Sequence, residues 1–220
     1  MVNMVRELYH KDLHRLKEEV ISMGNLVSIA IGDSVLSLKN RDAEMAQKVI
    51  EKDHEIDALD YSIEDNCMRL LALQQPMARD LRLIVSVLKM SIDLERMGDL
   101  ALEIAVITKI TAGSPPIKPL VDIPRMSDIC QDMLKNIMNA FENKDIELAR
   151  IVAKRDDEID MLFDQVRREL ISYMIEDPKN ITGAQHLTFV ARYLERIGDH
   201  ITNLSENVVF MVTGERVELN

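Results

Sequence analysis

The chain contains one helical unit twice. VLSLKNRDAEMAQKVIEKDHEID (35–57) aligns without gaps on MNAFENKDIELARIVAKRDDEID (138–160), with identities at Asn40, Asp42, Glu44, Ala46, Val49, Asp53, Glu55, Ile56 and Asp57. Further along each half, LERMGDLA (94–101) is answered by LERIGDHI (194–201). Self-similarity over that length limits the fold to two copies of one supersecondary unit, which bury equivalent faces.

That unit reads as three helices. Glycine and proline are scarce, tryptophan is absent, and Leu, Ile, Met, Glu, Lys, Arg and Ala dominate, all of which favours helix. Apolar periodicity predicts helices at about 10–38, 41–74 and 77–111, then at about 125–142, 144–176 and 181–213. The breaks fall at Lys39-Asn40-Arg41-Asp42, Gln75-Pro76, Glu142-Asn143-Lys144-Asp145 and Asp177-Pro178-Lys179-Asn180. AGSPPIKPLVDIP (112–124) holds four of the six prolines and reads as a linker. The expected organisation is all-α: a three-helix bundle over 1–111, a linker over 112–124 and a second bundle over 125–220.

Charge and cysteine usage then narrow the function. Thirty-eight acidic against 27 basic residues give a net charge of −11, which argues against nonspecific nucleic-acid binding and suits cations or a basic partner surface. Cys67 and Cys130 are far apart and form neither a disulfide framework nor a thiolate zinc site. No apolar signal core opens the chain and no charge-free window approaches the length of a membrane span, so a cytoplasmic protein without direct membrane insertion is expected. Any membrane association would then run through a partner. There is no nucleophile–base pair, phosphate-cradling glycine loop or Walker motif, so no catalytic residues are assigned.

The LERxGD motif makes two locally unfavourable choices. A glycine inside a helix costs about 1 kcal/mol relative to alanine, and like charges at i and i+4 repel across one face. Projected at 100° per residue, Val87, Met90, Leu94, Met97, Ala101, Ile104 and Ala105 form the core stripe of the third helix. Glu95, Asp99 and Glu103 lie on a neighbouring stripe, answered by Glu195, Asp199 and Asn203 in the second copy. The second helices carry Asp53 and Asp57, continued by Asp60 and Glu64, and in the other copy Asp156 and Asp160, continued by Asp164. If the two acidic faces of a unit lie side by side, four or more carboxylates converge, an arrangement that protons or cations relieve. All-oxygen donors favour hard ions such as magnesium, manganese, calcium or ferric iron over zinc. For any single pair a solvated face is the ordinary explanation; repetition, with Gly98 and Gly198 between the carboxylates each time, is what raises the ligand reading.

LERMGD and LERIGD ending two homologous three-helix units, with LQQPMARDLR (73–82) before the first, resemble the PhoU family of phosphate-signalling regulators over nearly the whole chain. The resemblance implies two similar three-helix bundles, usually as a homodimer, and a negative regulator of phosphate uptake and of the phosphate-starvation response. It implies as partners the ATPase of the phosphate-specific ABC transporter and the sensor histidine kinase of the phosphate two-component system. The family's E(D)xxxD motifs, which in some members hold iron or other metal clusters, map onto Asp53 and Asp57, Glu95 and Asp99, Asp156 and Asp160, and Glu195 and Asp199. Glu103 and Asn203 extend that set by helical geometry alone. The copies differ where His54, Asp60 and Glu64 face Asp157, Phe163 and Arg167, so the two sites are expected to differ in occupancy. No basic pocket for free phosphate is evident, which favours indirect sensing through the transporter.

Two other readings stand beside this one. A carboxylate-bridged di-metal oxidase needs Glu-x-x-His motifs within one bundle; Glu7 to His10 and Glu51 to His54 have the spacing, but neither recurs in the second unit, and His10, His14, His54, His186 and His200 read as surface or packing residues. A metal-free helical adaptor would use its acidic stripes only for solvation. Val85, Leu88 and Ile92 form an apolar extension of the carboxylate stripe, either a partner surface or packing within the bundle.

Overall fold

The computed structural model describes residues 2–219, which contain helices and no strand. In chain order they are α1 (Val2–Asn40), α2 (Ala43–Gln74), α3 (Arg79–Thr111), α4 (Asp122–Asn143), α5 (Ile146–Lys154), α6 (Asp156–Glu176) and α7 (Ile181–Thr213), with a 3-10 turn at Pro178–Asn180 before α7. The bundle α1–α2–α3 is repeated by α4, the α5–α6 pair and α7. The two units meet where α3 packs on α7 and α1 packs on α4. Their buried side chains join in one continuous core running from Leu13 to Met211.

Local sequence explains the repeated ends. Asp42 caps α2 by accepting from the Glu44 and Met45 backbone amides at 3.0 and 2.9 Å, and its counterpart Asp145 caps α5 by accepting from Leu148 at 2.9 Å. The residue before each cap, Arg41 or Lys144, sits in the left-handed region at φ 57° or 58°. The core stripe of α3 is as the periodicity predicts: Val87, Met90, Leu94, Met97, Ala101, Ile104 and Ala105 are all buried.

Two boundaries differ from expectation. The helix expected over 144–176 is broken at Arg155, whose guanidinium pairs with Asp132 of α4 and lies 3.6 Å from Glu158. Helix α6 then restarts with Asp156, Asp157 and Glu158 in its first turn, where carboxylates are stabilised by the exposed amides of a helix start. The expected linker is shorter, because Pro124 falls in the first turn of α4, where its missing N–H removes no intrahelical bond. The remainder is docked: Lys118 is buried and paired with Glu169, and Ile117 and Leu120 pack on the core.

Helix α1 also qualifies the expectation about membranes. Its stretch Tyr9–Asn40 is long and apolar enough to cross one by length and composition. In the fold its apolar residues, from Leu13 through Val27 to Leu38, are core residues, and the helix packs on α2, α3 and α4. The extension at Val85, Leu88 and Ile92 divides: Leu88 packs against the core, whereas Ile92 is half exposed.

Candidate functional site

Glycine sets how closely the acidic helices approach. A Cβ on Gly98 would stand 3.1 Å from Ile56 Cδ1 and 3.5 Å from Asp53 Oδ1, so α3 lies against the acidic face of α2. In the second unit a Cβ on Gly198 would overlap Asp156 Oδ1 and stand 3.0 Å from Ile159 Cδ1. The bare backbone that weakens each helix is therefore what lets α3 meet α2, and α7 meet α6, at the carboxylates.

The close approach carries through to the electrostatics of the carboxylates. Burial first, then the charges of Asp57 and Asp99, push the Asp53 carboxyl up to about 6, against the opposing effect of His54. Glu95 is raised by burial, then by Asp99, with Asp60 and Asp57 adding and Arg96 opposing. In the second unit Glu195 is raised by burial and by Asp199, Asp160 and Asp156, with Arg192 opposing. Asp160 is raised by burial and by Asp199, Asp157 and Asp164, again against Arg192. Each unit thus gathers Asp53, Asp57, Glu95 and Asp99, or Asp156, Asp160, Glu195 and Asp199, on two facing helices.

Glu103 and Asn203 do not join these groups. Each stands eight residues beyond its partner glutamate, a rotation of about 80° around the helix, which turns it from the intrabundle face to the seam between α3 and α7. Burial and then the Glu103 charge raise the Tyr193 hydroxyl, against the effect of Arg196, and Asn203 donates to Asp93 Oδ1 at 3.2 Å. The i+8 extension of the ligand set is corrected accordingly.

Asp60 joins the first group instead. Its Oδ1 is buried without a hydrogen-bond partner, as is Glu195 Oε2 in the second group. Its sequence signal was the continuation of the Asp53 and Asp57 stripe along α2. Buried oxygens of this kind, in an oxygen-only donor set with raised carboxyls, fit a hard cation. Among the described residues no three His, Cys, Asp or Glu side chains are drawn together tightly enough to hold a metal ion as they stand. Ligation therefore requires the carboxylates to rotate toward one another.

The two groups differ in their own cations. Arg192 pairs with Glu195 and lies 5.9 Å from the centre of the Phe163 ring. The equivalent positions in the first unit are Ile92 and Asp60, which provide no guanidinium and one more carboxylate. Arg96 approaches Glu95 at 3.4 Å and Asp99 at 3.1 Å in the first unit, from an exposed position. Arg96 and Arg192 are both exposed, so what sets the first site apart is the additional carboxylate of Asp60.

The Glu-x-x-His positions make no interior centre. Glu51, His54 and His10 are exposed, and the side chain of Glu7 lies outside the described residues. His14 is exposed beside Glu18 and His186 is half-buried. His200 is the exception, packed at the seam against Asp93.

The PhoU domain family matches the chain twice, at residues 20–108 and 123–208. The phosphate-specific transport system accessory protein PhoU homolog of Aquifex aeolicus is 44% identical over 208 residues, covering 94% of each chain. The homolog of Clostridium acetobutylicum is 36% identical over 218 residues, covering 99% of this chain and all of its own. The crystal structure of PhoU from Pseudomonas aeruginosa superposes with a TM-score of 0.89 at 36% identity, covering 94% of this chain and 100% of that one. The phosphate transport system regulatory protein PhoU from Streptococcus pneumoniae superposes with a TM-score of 0.87 at 31% identity, covering 95% of this chain and 99% of that one.

Proposed function

Because the chain belongs to the PhoU family, we propose that it is a regulatory accessory of phosphate transport, cytoplasmic and non-catalytic, which represses phosphate uptake and the phosphate-starvation response when phosphate is plentiful. The observation that carries this reading is similarity over nearly the full length of accessory proteins of the phosphate-specific transport system, spanning both repeats. Repression runs through protein contacts, as a homodimer, with the ATPase of the phosphate-specific ABC transporter and the sensor histidine kinase of the phosphate two-component system. Phosphate is sensed through the state of the transporter.

The acidic faces give this adaptor its mechanical element. Asp53, Asp57, Asp60, Glu95 and Asp99 would hold a hard cation between α2 and α3, and Asp156, Asp160, Glu195 and Asp199 one between α6 and α7. Iron, manganese or magnesium would supply positive charge there, offsetting the carboxylate repulsion. The protein's own part is to place the repelling groups on helices whose spacing Gly98 and Gly198 set, so that the separation of those helices depends on how the charge is neutralised.

Deleting the gene tests the regulatory reading. Phosphate-starvation genes are expected to be expressed in phosphate-rich medium, with repression restored by the intact chain. Normal repression in the deletion strain overturns it.

A further inference from the structure

The acidic sites, midway along α3 and α7, leave unexplained a cavity of about 470 Å³ at the start of α3 and the end of α7, where the charge is reversed. His10, His14 and Lys17 reach it from α1, Arg79 from the start of α3, and Lys144 from the turn after α4. Asp80 is the one carboxylate lining it, and its Oδ2 already accepts from the Tyr9 hydroxyl at 3.2 Å. The floor is apolar, formed by Leu13, Leu83 and Met211, all buried. In a chain of net charge −11, such a gathering runs against the average composition. It was invisible in sequence because its cations come from three separated elements.

Among the described residues Lys17, Arg79 and Lys144 have no ion-pair partner, whereas His14 has Glu18 at 3.4 Å. Lys17 is shifted down by burial and then by the Lys144 ammonium, against a smaller opposing effect of Asp80. Lys144 has a left-handed backbone at φ 58°, a conformation that residues other than glycine seldom adopt.

The repeat supplies an internal comparison. The equivalent cavity of the other unit, about 580 Å³, is lined by Arg41 and Lys179 at the positions of Lys144 and Arg79. There Arg41 donates to the Ala112 carbonyl at 2.8 Å, and Lys118 is paired with Glu169. One copy thus uses Arg41 to dock the linker, and the other leaves its counterpart Lys144 facing solvent.

We propose that the cavity between α1, α3 and the turn after α4 is a binding site for an anion carrying two or more linked phosphoryl groups. Its volume lies within the range of small-ligand pockets. Ammonium and guanidinium groups on separate walls suit a chain of phosphates, whose oxygens accept charge-assisted hydrogen bonds from each. Such an anion would relieve the opposition of Lys17 and Lys144 and tie the first bundle to the α4 end of the second. The inference is independent of the transporter-linked reading and concerns a different face.

The test is calorimetric titration of the full chain with ATP, tripolyphosphate and orthophosphate, in magnesium-free buffer after chelator treatment so that the acidic sites cannot recruit phosphate through a metal. ATP and tripolyphosphate are expected to bind, with affinity falling as salt screens the contacts. Lys144→Gly, whose backbone suits the left-handed turn, and Arg79→Gln are each expected to weaken binding about tenfold or more while the chain stays folded by circular dichroism. ATP tighter than tripolyphosphate identifies a nucleotide as the natural source; equal affinities identify an inorganic polyphosphate. No binding of either at about 1 mM, or affinities unchanged in both folded variants, overturns the proposal. Strong orthophosphate binding that survives both variants would count against the pocket and, separately, against indirect sensing.

Discussion

His200 Nδ1 lies 2.9 Å from Asp93 Oδ1, bridging α7 of the second repeat to α3 of the first. The same Oδ1 accepts from Asn203 Nδ2, and both members of the pair are largely shielded, at 17% and 16% side-chain exposure. Removing Asp93 leaves the shielded His200 without its partner on α3, while the exposed Asn203 turns to water. Asp93→Ala is expected to destabilise the chain by about 1–3 kcal/mol in urea unfolding. A double-mutant cycle with His200→Ala should give a coupling of roughly 0.5 kcal/mol or more. Strict additivity would mean that the seam is held by its apolar contacts alone.

The two motif glycines predict unequal consequences. At Gly198 an added methyl overlaps Asp156 Oδ1, on a side chain that is fully buried and cannot swing out without moving α6. Gly198→Ala is expected to cost about 1–3 kcal/mol, as overpacking does. At Gly98 the methyl meets Ile56 side-chain atoms at 3.1 and 3.3 Å, and the gain in helix propensity, about 1 kcal/mol, offsets much of that crowding. Gly98→Ala should therefore leave the melting temperature close to that of the wild type. Equal losses at both positions would contradict the difference in approach.

Much of this arrangement was legible because it is carried by local pattern. A 3.6-residue periodicity located the core stripe of α3, and the repeat multiplied the evidence for each acidic face. The i, i+4 pairs stayed on the face they were assigned, since a rotation of about 40° keeps two side chains together, whereas the i+8 step carried Glu103 and Asn203 to another neighbour. The break at Arg155 had a signal in the run Asp156-Asp157-Glu158, which reads as a helix start as readily as a helix interior. The pairing of His200 with Asp93 and the gathering of Lys17, Arg79 and Lys144 had none, because they depend on how the two repeats dock.

The raised carboxyl of Asp53 fixes the sign of a pH effect. Its folded-state value of about 6 lies above the unfolded value of 3.8, so between them the native state binds more protons than the unfolded chain. Its contribution to unfolding free energy must then fall as pH rises through that window, and the penalty is complete above pH 6. Asp53→Asn should be indistinguishable from wild type near pH 4 and more stable near pH 7, when both are unfolded by denaturant in the presence of chelator. A variant equally or less stable at pH 7 would mean that neither burial nor the charges of Asp57 and Asp99 disfavour the Asp53 carboxylate.

Cation loading should follow the difference between the two acidic groups. Each site has one paired guanidinium, Arg96 in the first and Arg192 in the second, but the first has Asp60 in place of Phe163 and so one more carboxylate. Elemental analysis of protein purified without chelator or affinity metal is expected to find iron or manganese, and titration with manganese should fill the first site before the second. Asp99→Asn together with Asp199→Asn should abolish that loading yet keep the fold, because each substitution lowers repulsion among raised carboxyls. Ile92→Arg, at the position equivalent to Arg192, should weaken the first site about tenfold by supplying a competing cation on the protein itself. If wild type and the double variant both emerge free of metal and neither takes up manganese, the stripes are solvated faces. Regulation would then rest on protein contacts alone.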